Sequence, residues 1–259
     1  MTDDILLRHV QGPITTLTLN APASLNALSL AMLDRLSAEL TELATSAQRV
    51  VILRAEGKAF SAGHDLKQIQ ALRTAPDHGR AAFAQLFTRC AEVMQQITQL
   101  PQPVIAQVHA IAAAAGCQLV ASCDMVVASE TARFGINGVN IGLFCHTPLV
   151  ALSHKIPPSR AFDLACTGTF LTATEALSAG LVTRVTTAET LGEAAEALAQ
   201  TLAHKLPSAL AAGKAAAAPD LTAAYAKATS AMVENLLHPD TDEGITAFLA
   251  KRAPNWPTN

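Results

Sequence analysis

Short apolar runs alternate with segments of helical spacing through the first half of the chain. Residues 14–19 alternate apolar and hydroxyl side chains, a pattern that predicts a half-buried strand. Ser29 precedes leucines at helical spacing as far as Leu43, which predicts a helix capped by the serine hydroxyl. The apolar run over 50–53 predicts a buried strand directly afterwards. These segments form one strand, helix and strand unit of an α/β fold.

The following segments repeat this order. A helical region is predicted over 66–100, a strand over 103–108, a short helix from Cys117 and a further strand over 125–128. This second cycle supports the α/β assignment, because alternating strands and helices are typical of a parallel sheet covered by helices.

The last third of the chain is predicted to be helical. Thr172 and Glu175 have the spacing of a capping box, and Gly180 is expected to end the helix that they begin. Alanines and leucines continue at helical spacing beyond residue 188. Prolines interrupt that pattern at positions 207, 219 and 239.

Asp240, with Glu243 three residues later, is expected to cap a final helix that ends before Pro254. We therefore divide the chain into a core over 1–195 and a C-terminal helical segment over 196–259.

Composition narrows the class of protein. The chain has 259 residues, of which 50% are hydrophobic and 15% charged, so it is expected to form a compact globular protein with surface buried in an oligomer. Eighteen basic residues against 21 acidic ones give a formal charge of −3, which leaves no electrostatic basis for nucleic acid as a partner.

The N-terminal residues 1–4 are Met-Thr-Asp-Asp, which differ from the basic start of a signal peptide, so a cytoplasmic location is expected. The weakly polar run over 104–121 contains Gln107 and His109, and no membrane partner is expected. Five cysteines without a C-x-x-C pair predict buried reduced thiols and no metal site.

Several common catalytic patterns are missing from the sequence. It contains no G-x-G-x-x-G, no phosphate-binding G-x-x-x-x-G-K-[ST] and no G-x-S-x-G. Its histidines never have the H-x-x-x-H spacing, and its only tyrosine, Tyr225, lies in the predicted helical tail. Dehydrogenase, nucleoside triphosphatase, α/β-hydrolase and metal hydrolase chemistry are therefore disfavoured.

Two segments, over 57–66 and 109–118, have the arrangement of a strand end, a turn of small residues and a helix start. Small side chains allow a ligand to reach backbone N–H groups, and two such groups can hold a developing oxyanion. The alternative is that these small residues only let each helix pack closely on its strand.

Five motifs in register over nearly the whole chain resemble those of the crotonase superfamily of enoyl-CoA hydratases and isomerases. They are Asn-Ala-Leu-Ser at 26–29, Phe-Ser-Ala-Gly-His-Asp-Leu at 60–66, Ala-Gly-Cys at 115–117 with Cys-Asp at 123–124, Phe-Gly at 134–135, and the capping-box segment over 172–182. The ending over 248–254 is also similar.

The resemblance implies a spiral of ββα units with a C-terminal helical trimerisation segment, and a homotrimer or a hexamer built from two trimers. It implies an acyl-CoA thioester as ligand, with coenzyme A as part of the substrate and no separate cofactor. The backbone N–H groups of Ala62 and Ala115 are expected to bind the thioester oxygen. The resemblance also implies a coenzyme A path lined by Leu25, Ala27, Ala62, His64, Asp65 and Leu66, with Phe248 and Lys251 reaching the coenzyme A of a neighbouring subunit.

The chain departs from the hydratases at both catalytic glutamates, which are replaced by Gln118 and Gly138. An amide is no general base and glycine has no side chain, so ordinary hydratase activity is expected to be very weak. Gln118 is kept as a candidate catalytic residue. The acyl pocket is expected to be lined by Gln118, Asn137, Cys145 and His146, with Gly116 and Gly138 also in contact with the substrate. Cys145 is favoured as a packed thiol over a nucleophile.

Two alternatives stay open. His64 and the segment over 139–143 resemble methylmalonyl-CoA decarboxylases, although their tyrosine corresponds here to Cys145; in that reading His64 contacts the substrate. The other alternative is a non-catalytic acyl-CoA-binding protein. Asp124 is expected to have a structural role in any of these.

Overall fold

The computed structural model describes residues 4–256, which form ten strands and eleven α-helices. The strands are β1 (Leu6–Gln11), β2 (Ile14–Leu19), β3 (Val50–Ala55), β4 (Ala59–Ser61), β5 (Val104–Val108), β6 (Ile111–Ala113), β7 (Met125–Ser129), β8 (Arg133–Gly135), β9 (Phe170–Thr172) and β10 (Arg184–Thr186). The helices are α1 (Leu30–Ala44), α2 (Leu66–Leu72), α3 (Arg80–Gln99), α4 (Ala115–Ser122), α5 (His146–Leu152), α6 (Pro158–Thr167), α7 (Ala173–Ala179), α8 (Leu191–Ala203), α9 (Pro207–Ala217), α10 (Thr222–Leu237) and α11 (Pro239–Leu249).

The strands form two sheets. The larger has the order β1-β2-β3-β5-β7-β10 and is parallel except for the β1–β2 pair. The smaller has the order β4-β6-β8-β9, and β4, β6 and β8 run parallel. Because each strand of the pair β4–β6 ends at the same edge, the loops that follow them are neighbours.

Helices cover both faces of the larger sheet, so the predicted α/β class is confirmed. On one face Leu17, Val51 and Leu53 join a core that includes α1 and α3. On the other face Ile52 and Ile105 pack against α8. The predicted strand over 14–19 is β2, and the Ser29 hydroxyl accepts the Met32 N–H at the start of α1, as expected.

The boundary placed between 195 and 196 divides α8 and is therefore wrong. Leu191 and Leu202, at the two ends of this helix, both pack on the larger sheet. α8 belongs to the core, and the helices that follow it begin with α9 at Pro207.

Three predicted helix limits also change. The region over 66–100 is two helices, with Gly79 at φ 87° before the second. The short helix predicted from Cys117 begins two residues earlier, at Ala115. The final helix is capped by His238, whose side chain accepts the Asp240 N–H, whereas Asp240 lies within the helix. The capping box of Thr172 and Glu175 is confirmed, as is Gly180 at the end of α7.

Asp124 has the structural role expected from the sequence. Its carboxylate accepts the Val104 N–H at 2.7 Å and pairs with the Lys214 ammonium at 2.6 Å. The Lys214 side chain is 8% exposed and also donates to the Gln102 carbonyl. This pair ties α9 to the larger sheet.

Candidate active site

The loop after β4 is fixed by the fully buried side chain of Asn26. Its amide nitrogen donates to the carbonyls of Glu56 and Ala59 at 2.7 and 2.9 Å, and its amide oxygen accepts the Ala21 N–H at 2.8 Å. The Ser61 hydroxyl donates to the Asn26 carbonyl at 2.8 Å. These bonds satisfy the buried polar groups of a turn in which Leu25 and Asn26 both have positive φ.

The loop after β6 has an unusual backbone at Ala114, with φ 49° and ψ −120°. The Ala114 N–H donates to the Gly135 carbonyl at 2.8 Å, which holds the chain on β8. α4 then begins at Ala115, so the Ala115 N–H is one of the groups at a helix N-terminus that have no acceptor within the helix.

The two loops approach so closely that glycine is required on each side. A Cβ on Gly63, which has φ 90°, would lie 3.1 Å from the Ala115 nitrogen. A Cβ on Gly116 would lie 2.8 Å from the Ser61 Cβ and would also overlap the Ser61 carbonyl. Gly116 is therefore a packing residue, and its backbone lets α4 start directly against the end of β4.

The N–H group of Ala62 is not available to a ligand. It donates to the Leu25 carbonyl at 3.0 Å, so the predicted assignment of Ala62 as an oxyanion donor is wrong. By contrast, the N–H groups of His64 and Ala115 make no hydrogen bond to any acceptor among the described residues. These two N–H groups are therefore the candidate donors of this site.

Both donors border a cavity of about 190 Å³. It also contains residues predicted from the sequence: Ala62, His64, Leu66, Ala115, Asn137, Gly138, Cys145 and Phe248. Its other lining residues were missed: Ile69, Ile111, Ala113, Ala114, Ile141, Leu143, Pro148, Phe170 and Met232. The missed side chains are mostly apolar and come from distant segments, so no local motif marks them.

The ring of His64 is turned into the core. Nδ1–H donates to the Leu28 carbonyl at 2.9 Å, and the ring packs edge-on against Phe87 at 5.3 Å. Nε2 is buried with no partner among the described residues, although the residue as a whole is half-buried. Burial lowers the pKa of the ring to about 4, against the raising effect of the Leu28 carbonyl. The His64 side chain is thus a loop anchor, and the predicted contact between this ring and the substrate is not supported.

Cys145 lines the cavity as a packed thiol. Its Sγ accepts the Gly138 N–H at 3.3 Å, and burial raises its pKa to about 11. Neighbouring Cys117 is also buried, and burial raises its pKa to about 12. A thiol that stays protonated at neutral pH is a poor nucleophile, in agreement with the prediction from sequence.

Gln118 is fully buried and does not line the cavity. Both of its amide atoms lack hydrogen-bond partners among residues 4–256. It lies near Tyr225 of α10, where burial raises the pKa of the phenol to about 12 while the Gln118 and Ser122 side chains oppose that rise. The predicted catalytic role of Gln118 gains no support from this position.

Gly138 lines the cavity but has no room for a side chain. A Cβ there would overlap the Leu143 carbonyl oxygen and would lie 2.8 Å from the Cys145 Sγ. The turn over 138–143 is closed by the Leu143 N–H, which donates to the Gly138 carbonyl at 3.0 Å. The glutamate of the hydratases is therefore excluded by the path of this backbone.

Other predicted residues lie outside the cavity lining. Asp65 caps α2 by accepting the N–H groups of Lys67 and Gln68. Ala27 is buried, whereas Leu25 is 44% exposed. His146 and Lys251 also lie outside the lining. The Nδ1–H of His146 donates to the Phe144 carbonyl, and Lys251 is an exposed residue beyond α11.

Comparison with known proteins agrees with the sequence motifs. The family described as Enoyl-CoA hydratase/isomerase matches residues 9–259. The human protein named enoyl-CoA hydratase domain-containing protein 3, mitochondrial, is 44% identical over 254 residues, which cover 96% of this chain and 82% of the relative. The corresponding rat protein is 43% identical over 95% of this chain and 82% of its own length.

Solved structures show the same similarity. An enoyl-CoA hydratase from Mycobacterium smegmatis superposes with a TM-score of 0.79 at 45% identity, over 98% of this chain and 99% of the other. The human domain-containing protein 3 gives a TM-score of 0.78 at 41% identity, over 98% and 100%. The fold is that of the crotonase superfamily. The chain belongs to the enoyl-CoA hydratase/isomerase family.

Within residues 4–256, no helix is long and apolar enough to cross a membrane. The mitochondrial location in the names of the vertebrate relatives applies to those proteins, and the cytoplasmic location of this chain stays a prediction.

The crowding at Gly138 can be tested by unfolding. Gly138→Ala is expected to lower the free energy of unfolding by about 1–3 kcal/mol, because the added methyl has no space. The control is Gly213→Ala within α9, where a Cβ meets nothing within 4 Å; it is expected to raise stability by about 0.5–1 kcal/mol. Denaturant titration measures both. Equal stability of Gly138→Ala and the unmutated protein would contradict the crowding.

The buried ring of His64 predicts a pH dependence. Its pKa falls from 6.5 to about 4 on folding, so the unfolded chain binds the proton first as pH falls. Stability is then lost from about pH 6.5 down to pH 4, by up to about 3 kcal/mol. His64→Asn retains an N–H donor for Leu28 and is expected to lose less stability over this range. Parallel unfolding curves for both proteins from pH 7.5 to 4 would refute the assignment.

Proposed function

We propose that this protein binds an acyl-CoA thioester and stabilises its enolate between the backbone N–H groups of His64 and Ala115. The observation that carries this proposal is the pair of unpartnered donors beside one cavity. The Ala115 N–H also opens α4, whose N-terminal partial charge favours a negative oxygen. Preorganised donors of this kind lower the barrier without reorganisation during the reaction.

The cavity supplies little acid or base chemistry. No Asp, Glu, Lys or Arg is among the described residues that line it. The His64 Nε2 is sealed in the core, and the Cys145 thiol stays protonated at neutral pH. Addition of water to an enoyl thioester needs positioned acid and base groups, so we infer that hydration is not the main reaction of this protein.

Decarboxylation is a second candidate. A cavity without charged side chains, beside two unpartnered N–H donors, also favours this reaction. When the bond between Cα and a carboxylate carbon breaks, carbon dioxide leaves and the electron pair forms the enolate. The enolate oxygen then lies between the two N–H groups, and Cα takes a proton from water. This route needs no protein base. The sequence-based argument for it from the His64 side chain does not apply, because the ring is turned into the core. Binding without turnover is the remaining alternative.

The assembly and the coenzyme A contacts remain part of the proposal. Phe248 is 59% exposed although it lines the cavity, which fits a position near the entrance for a ligand. We propose that Phe248 and the exposed Lys251 meet the coenzyme A of a neighbouring subunit within a homotrimer or a hexamer.

A panel of thioesters tests the proposed function. The protein is incubated with enoyl-, malonyl- and 3-hydroxyacyl-CoA esters, binding is measured by calorimetry, and product masses are recorded. We expect binding to at least one ester and little gain of water on the enoyl ester. Efficient hydration would contradict the inference about the missing glutamates, and no binding to any ester would contradict the proposal itself.

Ala115→Pro tests the donor directly. Proline is tolerated at the first position of a helix and has no N–H group, and its ring also adds atoms beside Gly63. We expect any turnover found with the panel to fall by about 10²–10³-fold. Leu30→Pro, at the first position of α1, is the matched control and is expected to retain activity. Equal rates for both variants would exclude Ala115 as a donor.

A further inference from the structure

The C-terminal helices contribute Met232 and Phe248 to the lining of the cavity. Met232 of α10 is 3% exposed and lines the cavity from the side of α5. The fully buried Thr147 hydroxyl donates to the Met232 Sδ at 3.5 Å. A methionine side chain adapts easily to its neighbours, so this contact restricts a group that would otherwise move aside for a longer ligand.

The adjoining wall is held by the same helices. The Phe144 N–H donates to the Asn235 amide oxygen at 2.7 Å, and the Asn235 amide nitrogen donates to the Gly142 carbonyl at 3.1 Å. The Thr241 hydroxyl also donates to the Gly142 carbonyl, at 2.8 Å. These bonds fix the backbone on both sides of Leu143, which faces the cavity.

The cavity is small for a ligand site. Its volume of about 190 Å³ lies below the roughly 300–1,000 Å³ of pockets that enclose a whole drug-sized ligand. It therefore suits only the acyl end of a thioester. With Met232 held by Thr147 and the backbone beside Leu143 fixed, a longer chain that extends toward either residue must displace a packed side chain.

We propose that Met232, positioned by Thr147, is a specificity determinant that limits the acyl chain to a short one. This inference rests on the proposed binding of acyl-CoA thioesters and adds the size of the acyl group. Thr147 and Asn235 are assigned as positioning residues. Thr147 holds the Met232 side chain, and Asn235 holds the backbone on both sides of Leu143.

Calorimetric titration with butyryl-CoA and dodecanoyl-CoA tests this inference without requiring turnover. The unmutated protein is expected to bind the butyryl ester at least tenfold more tightly. Met232→Ala is expected to strengthen dodecanoyl-CoA binding at least tenfold and so remove the preference. Met232→Val removes less volume, keeps the inference testable if the alanine variant does not fold, and is expected to shift the ratio in the same direction.

Leu236→Ala is the matched control, since Leu236 lies one turn further along α10, is fully buried and does not line the cavity. It is expected to leave the ratio of the two affinities unchanged. Thr147→Val removes the contact to Sδ and is expected to weaken the preference without abolishing butyryl-CoA binding.

Two outcomes overturn the inference in distinguishable ways. If the unmutated protein binds both esters equally, there is no short-chain limit. If the Met232 variants retain the preference, the limit lies elsewhere; in both cases the proposed function stands. If neither ester binds, the proposed function fails and this inference fails with it.

Discussion

The close approach of the loop after β4 to the start of α4 is the constraint on which the site depends. Two parallel neighbouring strands bring both loops to one edge of the smaller sheet. Gly63 and Gly116 permit the approach, because a Cβ on either would meet the opposing loop. The buried amide of Asn26 then fixes the turn that faces them. The N–H groups of Ala62 and Ala114 are bonded to the Leu25 and Gly135 carbonyls, whereas those of His64 and Ala115 have no partner among the described residues.

The same backbone supports the proposal that the chemistry differs from that of a hydratase. The turn over 138–143 closes against Gly138, so no side chain fits there, and Gln118 lies beneath α10. Restoring a carboxylate at position 138 by substitution would therefore require the turn to move. In the proposed function, the site stabilises charge on oxygen and offers few groups to transfer a proton.

Much of this was predictable from the sequence, for identifiable reasons. The limits of β2 and α1 follow from local alternation and a serine cap, and the capping box at Thr172 is a local signal of the same kind. The two site segments were found because small residues after strands are visible in a sequence. The sequence did not indicate which N–H group after β4 is without a partner. The bond that occupies the Ala62 N–H joins it to the Leu25 carbonyl, 37 positions away. The orientation of the His64 ring and the wall formed by Met232 likewise depend on tertiary packing.

The central claim concerns where the thioester oxygen binds, and a crystal structure with a saturated, unreactive acyl-CoA tests it most directly. The account predicts the thioester oxygen within about 3 Å of both the His64 and the Ala115 nitrogen atoms. It also predicts that the Ala62 N–H remains bonded to the Leu25 carbonyl. An oxygen held by Ala62, or one that contacts neither of the two predicted nitrogen atoms, would contradict the account.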